Sequence, residues 1–195
     1  MKNKKEFNCD WYNNYYSSDI KSEGEYSLSP EKSMYYKLWV QSIKHLNEED
    51  SIAEFGCGVG QFAKLLNKSG NSEYIYGVDF SGVAINQAKI NNSDIKDRFF
   101  VMDLYKKETY YKYKYNTVVM FEVLEHIKDD IFVLQSIPKG VKILFSVPSF
   151  DYISHVRFFK DKKAIKKRYC NVLNIKSIKG YTINNKTIWL VSGYK

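Results

Sequence analysis

The sequence is short of cysteine, has no long apolar run and, in its last quarter, has almost no acid. Its three cysteines, Cys9, Cys57 and Cys170, are odd in number and far apart. That excludes a disulfide framework and any paired-cysteine metal ribbon. No apolar stretch approaches the roughly 18 residues that cross a bilayer. Met1-Lys2-Asn3-Lys4-Lys5-Glu6 leads into no apolar segment of the secretory kind. A reduced, cytoplasmic protein with no membrane span is the expectation. The scarcity of acid is local. Residues 151–195 hold eleven Lys/Arg and only Asp151 and Asp161, a net +9 that leaves −1 for the first 150 residues of a chain whose total is +8. Such asymmetry points to an anionic partner or to a solvated, lysine-rich face.

What is present suits a folded chain. An apolar fraction of 44% over 195 residues is enough for the core of one domain. The first 28 residues mix Trp11, Tyr12, Tyr15, Tyr16 and Tyr26 with Asn, Ser and Asp without a clear period, and read as an irregular aromatic arm or lid with room for one short helix. Ser29-Pro30-Glu31 has the form of a helix start. Tyr35, Leu38, Trp39, Ile43 and Leu46 then repeat at helical steps. From Ser51 onward short apolar runs alternate with helical segments. Strands are expected at 51–55, 74–78, 98–102, 117–121 and 141–147. Helices are expected at 61–68, from the Ser81 cap to about 90, and within 122–137. This alternation predicts a parallel, doubly wound sheet with helices on both faces. Two β-rich runs, 171–179 and 187–191, close the chain as an antiparallel hairpin through Asn184-Asn185. Residues 29–195 therefore read as a single domain ending in a basic helix and a hairpin.

The segment Ile52-Ala53-Glu54-Phe55-Gly56-Cys57-Gly58-Val59-Gly60 is the most informative. A buried strand runs into three alternating glycines and then a helix, so a ligand can approach the backbone closely. The spacing is not the GxGxxG of dinucleotide binders, because Gln61 stands where the third glycine belongs. Glu54 would repel a pyrophosphate and suits a cationic ligand. Asp79 ends the second strand at the place where an acid accepts ribose hydroxyls. Asp103 follows the third, where it can meet an adenine amine with Phe80 and Met102 on either side of the ring.

These residues together resemble a class I S-adenosylmethionine-dependent methyltransferase. Glu54–Gly60 resembles that family's first motif, Tyr76–Asp79 its second and Phe100–Asp103 its third. Val118–Ile127 resembles its fourth-strand motif, and Ile143–Pro148 its fifth strand. The likeness covers about residues 34–160; Asn116, where many relatives have Asp, is a departure at a position that is not usually a ligand. It implies a Rossmann-like α/β sheet of seven strands with the last antiparallel. It also implies S-adenosylmethionine as cofactor, S-adenosylhomocysteine as product, and Glu54, Gly56, Gly58, Gly60, Asp79, Phe80, Met102, Asp103, Phe121 and Glu122 as cofactor-binding residues.

Methyl transfer needs positioning and the removal of a proton from the acceptor. His126, His155 and Tyr16 are the candidate catalytic groups, and Arg157, Tyr15 and Tyr26 the candidate substrate contacts. Glu122, Glu125 and His126 stand at i, i+3, i+4, one face of a helix. This run resembles the metal-binding motif of small-RNA 3′-terminal 2′-O-methyltransferases and of ubiquinone-biosynthesis O-methyltransferases. Bound Mg²⁺ or Mn²⁺, with His155 completing the set, is the less favoured reading. Glu122 lining the cofactor pocket and Glu125 at a helix N-terminus is the favoured one. Residues 157–168 hold seven Lys/Arg and one acid, so a small anionic metabolite with a nucleophilic O or N is the leading acceptor. An RNA methyltransferase is the first alternative, a non-catalytic cofactor-binding module the second and an NAD-dependent oxidoreductase a distant third. Oligomeric state is left open.

Overall fold

The computed structural model describes residues 4–70 and 73–195. Seven strands form one sheet: β1 Ser51–Phe55, β2 Glu73–Asp79, β3 Phe99–Val101, β4 Thr117–Met120, β5 Lys142–Pro148, β6 Asn174–Ile183 and β7 Lys186–Tyr194. Their order is β3-β2-β1-β4-β5-β7-β6. β1 to β5 pair in parallel, and β7 is antiparallel to both of its neighbours. This is the Rossmann-like seven-strand sheet expected, with the last strand reversed. Asn184 and Asn185 turn the terminal hairpin with both φ angles positive, at 49° and 60°, the conformation a two-residue hairpin turn requires.

Strands buried on both faces read as continuous apolar runs, and all of β4 is buried. Alternate residues serve opposite layers. Val118 and Met120 join Phe55, Tyr76, Ile143 and Phe145 in one cluster. Val119 and Leu144 join Leu38, Trp39, Phe62 and Leu190 in the other. Helices α1 Cys9–Lys21, α2 Tyr36–Ile43, α3 Gln61–Ser69, α4 Gly82–Asn91, α5 Asp130–Ser136 and α6 Lys162–Tyr169 surround the sheet.

Three segments depart from expectation. The aromatic arm contains a full 13-residue helix, α1, capped by Asn8, whose side chain accepts from the Trp11 amide at 3.1 Å. Its packed face carries Tyr12, Tyr16 and Ile20, and the tyrosines hid the period. The helix expected from Ser29 is a single 3-10 turn, Pro30–Lys32, with no side-chain cap bond from Ser29. The Glu25 carboxylate takes the Ser33 hydroxyl and the Met34 amide, and Ser33 stays extended, so α2 starts only at Tyr36. The third departure is at residues 121–128, where the end of the fourth strand and the start of a helix-containing segment were expected. These residues form an irregular loop, and α5 starts at Asp130, capped by the Asp129 side chain on the Phe132 amide.

Candidate active site

The site lies beyond the C-terminal ends of the parallel strands, where open α/β sheets bind ligands. The glycine turn after β1 places Gly56, Gly58 and Gly60 at positive φ. A Cβ on Gly56 would sit 2.5 Å from Val123 Cγ2, so only glycine fits between β1 and the loop after β4. At Gly58 a Cβ would lie 3.2 Å from the Tyr16 hydroxyl, which places the arm directly over the turn. Gly60 lines neither ligand cavity. It heads α3, and a Cβ there would run into Asn92 and Ala88. Its role is helix packing rather than the ligand contact expected.

Two cavities flank the glycine turn. One, of about 490 Å³, is lined by Asp79, Phe80, Met102 and Asp103 from the strand ends, and by Glu6, Phe7, Asn8 and Cys9 from the arm. The other, of about 410 Å³, is lined by Glu54, Gly58, Phe121, Phe150 and His155, by the arm residues Trp11, Tyr15 and Tyr26, and by Lys186 of the hairpin. Tyr12, Tyr16, Gly56, Glu122 and His126 line both. The fold thus provides an elongated site in two compartments with those five residues at the junction. The arm is held over it by the Lys4–Asp151 ion pair, by Glu6 on the Tyr105 hydroxyl at 2.9 Å, and by the Ser81 hydroxyl on Asn13 at 2.6 Å.

Carboxyl groups concentrate here, and burial governs their titration. Glu54 is 3% exposed and accepts from the Tyr74 hydroxyl at 2.9 Å; burial raises its carboxyl to about 8. Burial lifts Asp79 to about 6 against hydrogen bonds from the Ser81 and Gly58 amides. Glu122 is raised to about 7, again by burial, with Ser146 Oγ donating to its carboxylate at 2.8 Å. Glu122 also has φ +54°, a strained backbone held in place because its own amide donates to the same Ser146 hydroxyl at 2.9 Å. Burial lowers His126 to about 4, and lowers His155 as well. The His126 ring is accordingly a neutral imidazole at pH 7, and the Nδ1 atoms of His126 and His155 lie near the Ser154 and Phe150 carbonyls at 3.0 and 3.1 Å.

Several expectations change at this level. Glu122, Glu125 and His126 do not share a helix face, because they lie on the irregular loop. Glu125 therefore sits at no helix N-terminus. Its carboxyl is fully buried, and burial, then the neighbouring Glu122 carboxyl, pushes its titration up. Ligand atoms of Glu125, His126 and His155 lie within 4.8 Å of one another. Two imidazoles and a carboxylate are a donor set that fits a divalent cation. Arg157 reaches neither cavity: its guanidinium is spent on the Leu124, Ile127 and Lys128 carbonyls. None of the seven cations of 157–168 lines either cavity. Sequence reasoning missed Glu6, Phe7, Asn8, Cys9 and Lys186. The cap signal at Asn8 and the stacked i, i+4 pair Trp11–Tyr15, with centroids 5.1 Å apart, are the features that would have found the arm.

A family model described as a methyltransferase domain matches residues 33–181. The chain belongs to that methyltransferase family. Its fold is also that of several solved enzymes. Magnesium protoporphyrin IX methyltransferase from Synechocystis PCC 6803, with bound S-adenosylmethionine, is 14% identical over 93% of this chain and 84% of that one, with a TM-score of 0.61. The N-methyltransferase NodS from Bradyrhizobium japonicum WM9, bound to S-adenosylhomocysteine, is 15% identical over 93% and 98%, TM-score 0.65. The methyltransferase domain of a bacterial Hen1 is 18% identical over 83% and 98%, TM-score 0.62. No curated protein matches the sequence. The methyltransferase's cofactor is S-adenosylmethionine, and the acid-lined, two-compartment site fits a ligand that is cationic at sulfur and nitrogen. Among the described residues no helix is long and apolar enough to cross a membrane.

Proposed function

We propose that this enzyme moves the methyl group of S-adenosylmethionine to a nucleophilic oxygen or nitrogen of a small acceptor. The carrying observation is the junction of the two cavities at Gly56, Glu122, His126, Tyr12 and Tyr16. The adenosine half lies along Asp79, Phe80, Met102 and Asp103, and the amino-acid half reaches the glycine turn and Glu54. The cofactor supplies an activated methyl group, so the chain's task is alignment and proton removal. His126 is neutral and can accept the acceptor's proton. Tyr15, Tyr16 and Tyr26 shape the acceptor compartment, with His155 on its wall. Residues 4–28 act as the lid. Labelled methyl groups from the cofactor, offered to a fractionated cell extract, should appear in the low-molecular-weight fraction. Label in the RNA fraction instead would favour the RNA alternative.

The acceptor carries negative charge at the end facing the hairpin. Lys186 lines the acceptor compartment, with Nζ 4.4 Å from the Phe150 ring centroid, and supports this in place of Arg157. Lys186→Met should raise KM for the acceptor by roughly tenfold with little change in kcat; an unchanged KM removes the assignment.

A second reading rests on Glu125, His126 and His155. If they hold Mg²⁺ or Mn²⁺, the ion supplies a Lewis acid that polarises an acceptor hydroxyl, as expected of a metal-assisted 2′-O-methyltransferase. MnCl2 should then raise the melting temperature of the wild type but not of Glu125→Gln. No shift in the wild type, together with transfer that survives EDTA, removes the metal.

A further inference from the structure

The loop at 121–128 contributes Phe121, Glu122, Val123, His126 and Ile127 to the two cavities, yet it has no helix or strand of its own and passes through a strained residue. Something outside it must hold its shape. Its carbonyls show what does. Arg157 Nη1 donates to the Leu124 and Ile127 carbonyls, and Nη2 donates to that of Lys128 at 2.7 Å. The neighbouring Val156 amide donates to the Glu125 carbonyl at 2.8 Å. One side chain therefore ties three of five consecutive carbonyls. The guanidinium is balanced from below by Asp130, 3.3 Å away and fully buried. Asp130 is itself held by Arg168 and by the Tyr169 hydroxyl at 2.7 Å.

Resting on the proposed assignment of the two compartments, we infer that Arg157 is a positioning residue of this site, fixing residues 124–128 of the loop that carries Glu122 and His126 between the cofactor and acceptor compartments, while Ser146 holds Glu122 itself. It touches neither compartment and acts only through the loop. The planar fork spreads its donors over separate nitrogens in a fixed geometry, and two of them reach the three carbonyls; an ammonium gathers its three donors on one atom at the end of a flexible stem, so it keeps the charge beside Asp130 without spanning the same carbonyls. The difference separates positioning from mere fold maintenance.

The test compares the full-length wild type with Arg157→Lys and Arg168→Lys. Binding of S-adenosylhomocysteine is measured by calorimetry, and amide hydrogen exchange by mass spectrometry. Arg157→Lys should bind about tenfold more weakly. Its exchange should quicken in the peptide covering 122–128 and stay at wild-type rates in β1, β4 and β5. Arg168→Lys loosens the Asp130 pair without touching the loop carbonyls, and should keep wild-type affinity. The inference is overturned if Arg157→Lys binds within about twofold of wild type, if it loses exchange protection uniformly or fails to fold, or if Arg168→Lys loses affinity equally.

Discussion

At the scale of single residues, Glu54 is the informative group. Its carboxyl titrates near 4.5 when exposed and is pushed up to about 8 in the fold by burial. The folded state thus holds a proton that the unfolded chain has released, and stability falls as pH rises from about 4.5 to about 8. Glu54→Gln should flatten this slope in the cofactor-free protein, read as melting temperature at pH 5 and pH 8. The slope does not vanish, because Asp79 and Glu122 are raised too. The same variant should bind S-adenosylmethionine at least tenfold more weakly at pH 8, since a charge-assisted contact is worth about 1.5–3 kcal/mol. Parallel slopes in wild type and variant would show that Glu54 is not the titrating group. Glu54, Asp79 and Asp103 were legible in the sequence because each stands at or just beyond the C-terminal end of a strand. Arg157 was misread, since a sequence displays a charge but not the three carbonyls that use it.

At the scale of elements, the strands were legible and the segments between them less so. β1, β4 and β5 are buried on both faces, and their apolar runs announce it. α1 was hidden because the face it packs inward carries Tyr12, Tyr16 and Ile20, two of them residues that read as ambiguous among Asn and Ser. The loop after β4 was misjudged for a tertiary reason. Its i, i+3, i+4 spacing is helical, but Ser146 and Arg157 claim the backbone groups a helix would use. The arm carries a prediction of its own. Asn8→Ala removes the cap of α1 and should cost about 1 kcal/mol, seen as faster hydrogen exchange in residues 9–21. Removing residues 1–28 should leave the circular dichroism of the sheet intact and abolish transfer, because the arm lines both cavities. Undiminished turnover would mean the arm is no lid.

At the scale of the whole molecule, charge and chemistry separate. The net +9 of the last 45 residues is spread over the segment before α6, α6 itself, the hairpin and Lys195. Of those cations only Lys186 lines the acceptor compartment. None of the other cations of this segment lines either cavity, which favours the solvated-face reading of the basic helix. Binding to transfer RNA should accordingly be weak at physiological salt. Tight binding with a steep salt dependence would instead restore the RNA reading.

The central claim is that the reactive methyl group sits at the junction of the two cavities. It is tested most directly by binding S-adenosylmethionine labelled with ¹³C in its methyl group and recording nuclear Overhauser contacts. That methyl should show contacts to the His126 ring and to the Tyr16 ring. A cofactor that fails to bind, or a methyl group whose contacts are to Phe80 and Met102 alone, would contradict it.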